Sequence, residues 1–365
     1  MKHISILREL LKIESVSGKE FHILDYIFKK IKALGLRAFF VQGNLVVKIN
    51  GRDSSKALIF NAHVDTVSPG NVSIWEYPPF EGSFIDNKMY GLGASDEKAT
   101  IAAFLILADV FRSTVPSCDI WLSFVVKEEV DGTGSKRFLQ WFSKNEKKKY
   151  KTIAGILGEP TGLKQIEIAH KGNIFIKIKI IGDSGHASNP TKIKNHAVLK
   201  MYDFAKKLEN LGREWGIKYS DKLLGSPTIG IITSISAGNT ESPNKFPDSC
   251  IATFDIRTTP RLHKIALKEI KDLDKHAKIE YIYSPVPYGY TNKSEKIVRI
   301  VQGITGAQIA ISQSSNDLYF FTRANIPAVV FGPGEKDYIH KQNEYCYADK
   351  ILQCINFYKK IVEDF

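Results

Sequence analysis

Five short stretches carry residues able to do chemistry; four come after runs of apolar residues and one opens a helical pattern. His63 and Asp65 stand two apart in Asn61-Ala62-His63-Val64-Asp65-Thr66. A metal-ligating imidazole hands its other N–H to an acceptor that fixes its tautomer, and Asp65 is spaced to serve; an ordinary solvated pair has the same spacing. Asp96 ends the glycine-punctuated loop Gly91-Leu92-Gly93-Ala94-Ser95-Asp96, where it is either a helix N-cap or a carboxylate shared between two cations. The loop lacks the phosphate-binding Gly-x-Gly-x-x-Gly and Gly-Lys-Ser/Thr patterns. Glu128 and Glu129 are adjacent, so one can bind a cation while the other carries a proton, although paired surface glutamates are common. Glu159, before Pro160, and His340, in a loop after the last apolar run, are each either ligands or ordinary loop residues.

Strands must bring these positions together. Apolar runs at residues 45–49, 57–60, 120–126, 153–157 and 328–331 read as buried strands, alternating with helical periodicities at 99–111, 135–144, 295–305 and from 348. That alternation predicts an α/β fold with a mixed sheet, its candidate residues at strand ends. Ser17 and Glu20 have capping-box spacing before a helix that Gly35 stops. Between residues 172 and 284 the order becomes strand 174–181, helix 195–211, strands 228–235 and 250–257, helix 263–276, strand 278–283. This β-α-β-β-α-β order is that of a ferredoxin-like module. The expected division is a catalytic domain over 1–171 and 285–365, interrupted by an inserted domain over 172–284.

Composition narrows the function classes. The longest apolar stretch is about half the ~20 residues that span a bilayer, and the N-terminal stretch interrupts its apolar residues with Arg8, Glu9 and Lys12, unlike a signal peptide. A cytoplasmic protein without membrane segments is expected. Cys118, Cys250, Cys346 and Cys354 form no Cys-x-x-Cys pair, which argues against a disulfide framework and a thiolate cluster. The net charge of +12 is spread along the chain without a nucleic-acid-binding signature, leaving solvated surface, an anionic substrate or an acidic partner as its meaning.

Taken in order, NAHVDT, GLGASDEK, EEVDGTGS, GEPTGL, AHKG, GHASNP and GPGEKDYIH resemble the di-zinc deacylase and metallopeptidase group of acetylornithine deacetylase, succinyl-diaminopimelate desuccinylase, aminoacylase and carboxypeptidase G. The likeness covers nearly the whole chain and is closest in look to acetylornithine deacetylase. It implies that His63 and Glu159 hold one ion, Glu129 and His340 the other, and Asp96 both, zinc being the expected metal and cobalt the alternative. It further implies that Asp65 orients His63, that Glu128 is the general base, and that the Asp96–Glu97 peptide is cis. From the inserted domain, His186 is implied as an oxyanion donor across a homodimer interface and Asn244 as a substrate contact. Arg257, ending a strand of that domain, is either a carboxylate anchor or a surface arginine.

The implied reaction is hydrolysis of the amide in a small N-acyl amino acid such as N-acetylornithine, within arginine or lysine biosynthesis. Alternatives are succinyl-diaminopimelate, a dipeptide, and lysine or ornithine carried on an acidic amino-group carrier protein. Ser315-Asn316-Asp317 and Lys98-Ala99 depart from the group's Thr-Asp-Ala and Lys-Gly, which leaves the substrate open. A non-catalytic metal- or amino-acid-binding protein is the rival of another class; the joint presence of all five ligand types with Glu128 argues against it.

Overall fold

The structure, a computed structural model, describes residues 2–312 and 314–365. The chain forms two compact units: Met1–Ala169 with Gly289–Ile311 and Asn316–Phe365, and His170–Tyr288 with Ser312–Ser315.

The first unit is built on a mixed nine-stranded sheet. At its centre, strand Asp53–His63 lies between and parallel to Cys118–Val125 and Thr152–Leu157, and Ala328–Val330 runs parallel to the latter. Central parallel strands are covered on both faces, so they are largely apolar rather than alternating; every residue of Cys118–Val125 is buried, the polar Asp119 and Ser123 included. Helix Ala99–Phe111 packs on one face through Phe104, whose ring stands edge-on to Phe60 at 5.5 Å. On the other face Phe321 closes over Gly155, where a Cβ would lie 2.5 Å from the ring. Burial of these apolar side chains is the main force holding the strand ends in register.

The second unit contains a four-stranded antiparallel sheet in the order Thr228–Ala237, Ser249–Thr258, Gly172–Ile181, Lys278–Tyr281. Helix Ala197–Lys218 follows its first strand in sequence, and helices Pro260–His263 and Ala266–Lys271 precede its last. This is the ferredoxin-like arrangement, with Ile174, Ile176, Ile178 and Ile180 beside Phe254 of the neighbouring strand and in one core with Phe204 and Leu208 of the long helix.

Three local expectations are corrected. The Ser17–Glu20 capping box does not form: helix Phe21–Ala33 starts without a side-chain cap, because the Ser17 hydroxyl donates to Asp65 at 2.6 Å. Asp96 does not cap Ala99–Phe111, whose flanking residue is Lys98. The single helix at 263–276 is two shorter pieces. All four cysteines are buried free thiols. Among the described residues no helix is long and apolar enough to cross a membrane.

Candidate metal centre

Strand ends deliver the polar residues, as their positions in the sequence require. His63 is the last residue of its strand, Glu128 and Glu129 follow Cys118–Val125 through a turn in which Lys127 has φ +59°, and Glu159 lies two residues beyond Thr152–Leu157. Asp96 enters from the loop before Ala99–Phe111, next to a cis Asp96–Glu97 peptide, and His340 from the loop after Ala328–Val330.

The six groups converge in the first unit. Asp96 stands between two imidazoles: its Oδ1 is 2.9 Å from His63 Nε2 and its Oδ2 is 3.4 Å from His340 Nε2. His340 Nε2 also lies 3.1 Å from both Glu129 oxygens. Donor atoms of His63, Asp96 and Glu129 fall within 4.8 Å of one another, as do those of His63, Glu128 and Glu159. Glu128 is therefore as close to His63 as a ligand would be, and distance alone does not separate it from Glu129.

Asp65 differs from expectation. His63 Nδ1 meets the Asp65 main-chain oxygen at 2.8 Å, while the nearest Asp65 carboxylate oxygen is 3.8 Å away. The buried carboxylate instead accepts the Ser17 hydroxyl and the Glu128 and Glu129 N–H groups at 3.1 and 3.3 Å. A carboxylate with three donors has little capacity left for the ring, so its side chain shapes the glutamate turn.

Electrostatics test the fit of cations. Burial and the neighbouring carboxylates, Glu159 beside Glu128, Asp96 beside Glu129 and Glu159, push all three glutamates above the usual carboxylate range. Burial opposes charge on His63, yet Glu97, Asp96 and Glu159 hold its pKa well above normal. Asp96 and Glu129 push His340 up to about 10. Burial works against ionised Asp96, but its bonds to His340 and His63 hold it well below the ordinary value. Crowded carboxylates with two imidazoles are what divalent cations of the zinc class neutralise; the residues fit.

Further polar residues of the centre escaped the sequence reading. Glu97 is buried, accepts the His63 N–H at 2.6 Å and leaves Oε2 without a partner; burial pushes it up to about 8. A buried chain runs from Ser123 through Asn61 and Ser135 to Asp317, whose pKa burial raises to about 7. Glu97 adjoins a candidate and Asp317 lies in the departing Ser-Asn-Asp stretch, the only local signals either offered.

His186, Asn244 and Arg257 belong to the second unit. Gly185–His186 pairs with Lys245–Phe246, and Ala187 N–H donates to the Asn244 oxygen at 2.7 Å, which brings His186 and Asn244 side by side. The His186 ring is exposed, its Nδ1 2.8 Å from the Ser188 hydroxyl. Arg257 is engaged through Nε and Nη2 by Asp255 at 2.8 and 2.9 Å, and its Nη1 lies 3.4 Å from Ser315 Oγ.

The mixed α/β sheet gathers histidines and carboxylates at its strand ends, and its family and relatives make the protein a hydrolase acting on amide bonds. The model of Peptidase family M20/M25/M40 matches residues 59–364, and the chain belongs to this family. It is similar to acetylornithine deacetylase of Buchnera aphidicola subsp. Acyrthosiphon pisum, 29% identical over 84% of this chain and 80% of that one. Succinyl-diaminopimelate desuccinylase of Pelagibacter ubique is 24% identical over 99% and 98%. The fold matches that of an M20 family metallo-carboxypeptidase from Sulfolobus solfataricus with a TM-score of 0.76, 21% identity and coverage of 100% and 99%.

Proposed function

We propose that the protein is a two-metal deacylase that hydrolyses the amide of a small N-acyl amino acid, with N-acetylornithine as the leading substrate. The observation that carries this reading is Asp96, placed with one oxygen toward His63 and the other toward His340. His63 and Glu159 would hold one ion, Glu129 and His340 the second, with Asp96 shared. Two divalent ions, zinc by this donor set and cobalt as the alternative, supply the Lewis acidity that makes water nucleophilic near neutral pH and polarises an amide carbonyl.

The chain's own groups then act in order. Glu128 takes the proton of the attacking water and returns it to the departing amine. Asp65 holds the Glu128–Glu129 turn, and its main-chain oxygen fixes the His63 tautomer. His186, supplied by the second unit of a partner copy in a homodimer, donates to the oxyanion. Arg257 Nη1, not taken by Asp255, anchors the substrate α-carboxylate, and Asn244 is a further substrate contact. The products are a short carboxylate and a free amino acid, consistent with a cytoplasmic place in arginine or lysine biosynthesis.

The similarity to a desuccinylase favours succinyl-diaminopimelate as the second reading. The +12 charge favours, as a third, an acidic carrier protein bearing the amino acid. The test loads the protein with zinc or cobalt and assays release of amine from N-acetylornithine, N-succinyl-diaminopimelate, several other N-acyl amino acids and dipeptides. Turnover of N-acetylornithine at least tenfold above the rest is expected. Dipeptide cleavage alone would overturn deacylation, and a protein that binds fewer than two ions would overturn the metal centre. Mixing His186→Ala with Glu128→Gln under subunit exchange tests the dimer: restored activity is expected, because one hybrid site keeps both groups.

A further inference from the structure

Glu344 lies four residues beyond His340 in the same segment. Its side chain is only 1% exposed and accepts three main-chain N–H groups from the loop that carries Asp96: Gly93 at 2.9 Å, Ser95 at 2.8 Å and Asp96 itself at 2.9 Å. Its own main-chain oxygen accepts a fourth, from Gly91, at 2.9 Å. The Ser95 hydroxyl adds two bonds between the same segments, donating to the Tyr345 oxygen at 2.6 Å and accepting the Glu335 N–H at 2.7 Å. The glycine-punctuated loop is thus an anion nest of converging N–H groups, and its anion is the chain's own carboxylate. Gly93 sits at φ +78°, where a Cβ would also meet Thr66 Cγ2 at 2.7 Å, so the loop needs glycine there to turn its N–H groups inward.

From this geometry we infer that Glu344 is a positioning residue for the metal centre, tying the loop of Asp96 to the segment of His340. The inference rests on the two-metal reading above. Asp96 and His340 are 244 residues apart in sequence and reach the site from different loops. Hydrogen bonds to one buried carboxyl group from three main-chain N–H groups of a single loop, those of Gly93, Ser95 and Asp96, hold the two segments together. The bond to the Asp96 N–H fixes the orientation of the residue whose two oxygens face the two imidazoles. Displacement of either loop by about 1 Å is enough to spoil a constellation of this kind.

Glu344→Gln is the test, since the amide keeps the shape but retains one acceptor oxygen and turns an NH2 toward a main-chain donor. Wild type and variant, stripped of metal, are titrated with zinc by chelator competition, the visible spectrum of each cobalt-loaded protein is recorded, and folding is checked by circular dichroism. In the folded variant zinc affinity is expected to fall tenfold or more at one ion or at both, since Asp96 would be shared between them, and the cobalt bands shift. A role in stability alone would lower the melting temperature and leave both affinities and the cobalt spectrum unchanged, which overturns the inference. Should Glu344→Gln not fold, Ser95→Ala decides: loss of zinc affinity at either ion supports the tie, and two ions held with wild-type affinity overturn it. A wild-type protein that takes up fewer than two ions removes the two-metal reading and the inference with it. A two-ion wild type beside an unaffected variant removes the inference alone.

Discussion

Replacing Asp65 with asparagine separates two ways in which this residue can serve the site. The partner of His63 Nδ1 is the Asp65 main-chain oxygen at 2.8 Å, which the substitution keeps; the carboxylate is 3.8 Å from that nitrogen. What changes is the acceptor for the Glu128 and Glu129 N–H groups and for the Ser17 hydroxyl, which can rotate to accept instead. Asparagine offers one oxygen and confronts one donor with another, so one charge-assisted bond is lost and a second becomes neutral. At ~1.5–3 kcal/mol for a hydrogen bond to a charged group, the combined cost is ~2–4 kcal/mol, or about 30- to 700-fold in a binding constant. If the carboxylate acts through the turn, that loss is shared with Glu129. Zinc affinity is measured for Asp65→Asn, Glu129→Gln, His63→Ala and the two double variants containing Asp65→Asn. A coupling of ~1 kcal/mol or more with Glu129→Gln is expected, and additivity within ~0.5 kcal/mol with His63→Ala. Additivity with Glu129→Gln together with strong coupling to His63→Ala would refute the argument and return the carboxylate to the imidazole.

Glu128→Gln should bind both ions yet lose ~10²–10⁴ in kcat, because a proton carrier is removed and no ligand is; near-normal turnover would reassign the base. In the metal-free protein His340 is raised from 6.5 to about 10. Its contribution to stability is therefore complete below pH 6.5 and disappears as pH rises through about 10. Zinc must expel that proton, so apparent zinc affinity should rise with pH across this window, and an affinity flat with pH would contradict the assignment of His340 as a ligand. Gly155→Ala drives a Cβ to 2.5 Å from the Phe321 ring and 2.9 Å from Ala328 Cβ. Overpacking of ~1–3 kcal/mol should lower the melting temperature by several degrees, and calorimetry showing no change would mean that the ring relaxes freely.

The alternation of elements was legible because it is a local property: apolar residues at adjacent positions mark a strand covered on both faces, and a 3.6-residue recurrence marks a helix. Helix Ala99–Phe111, the flanking strands and the β-α-β-β-α-β order follow from such patterns within about 20 residues of chain. The candidacy of His63, Asp96, Glu128, Glu129, Glu159 and His340 rested on residue type and on position in the loops after apolar runs or before a helix, and the fold brings them close together. The partners of those residues were not legible. Ser17 has the spacing of a cap, but the fold places Asp65 2.6 Å from its hydroxyl, and the stronger charged acceptor wins. Nothing local marked Glu97, Asp317 and Glu344 as buried, since acidic residues are rarely buried unless paired. Their partners lie at sequence separations of 34, 182 and about 250 residues. The sequence by itself determined which elements form and which residue types stand at their ends. Only the tertiary structure decided which donors each buried carboxylate meets, because burial removes water as a partner and leaves whatever chain packing brings within 3 Å.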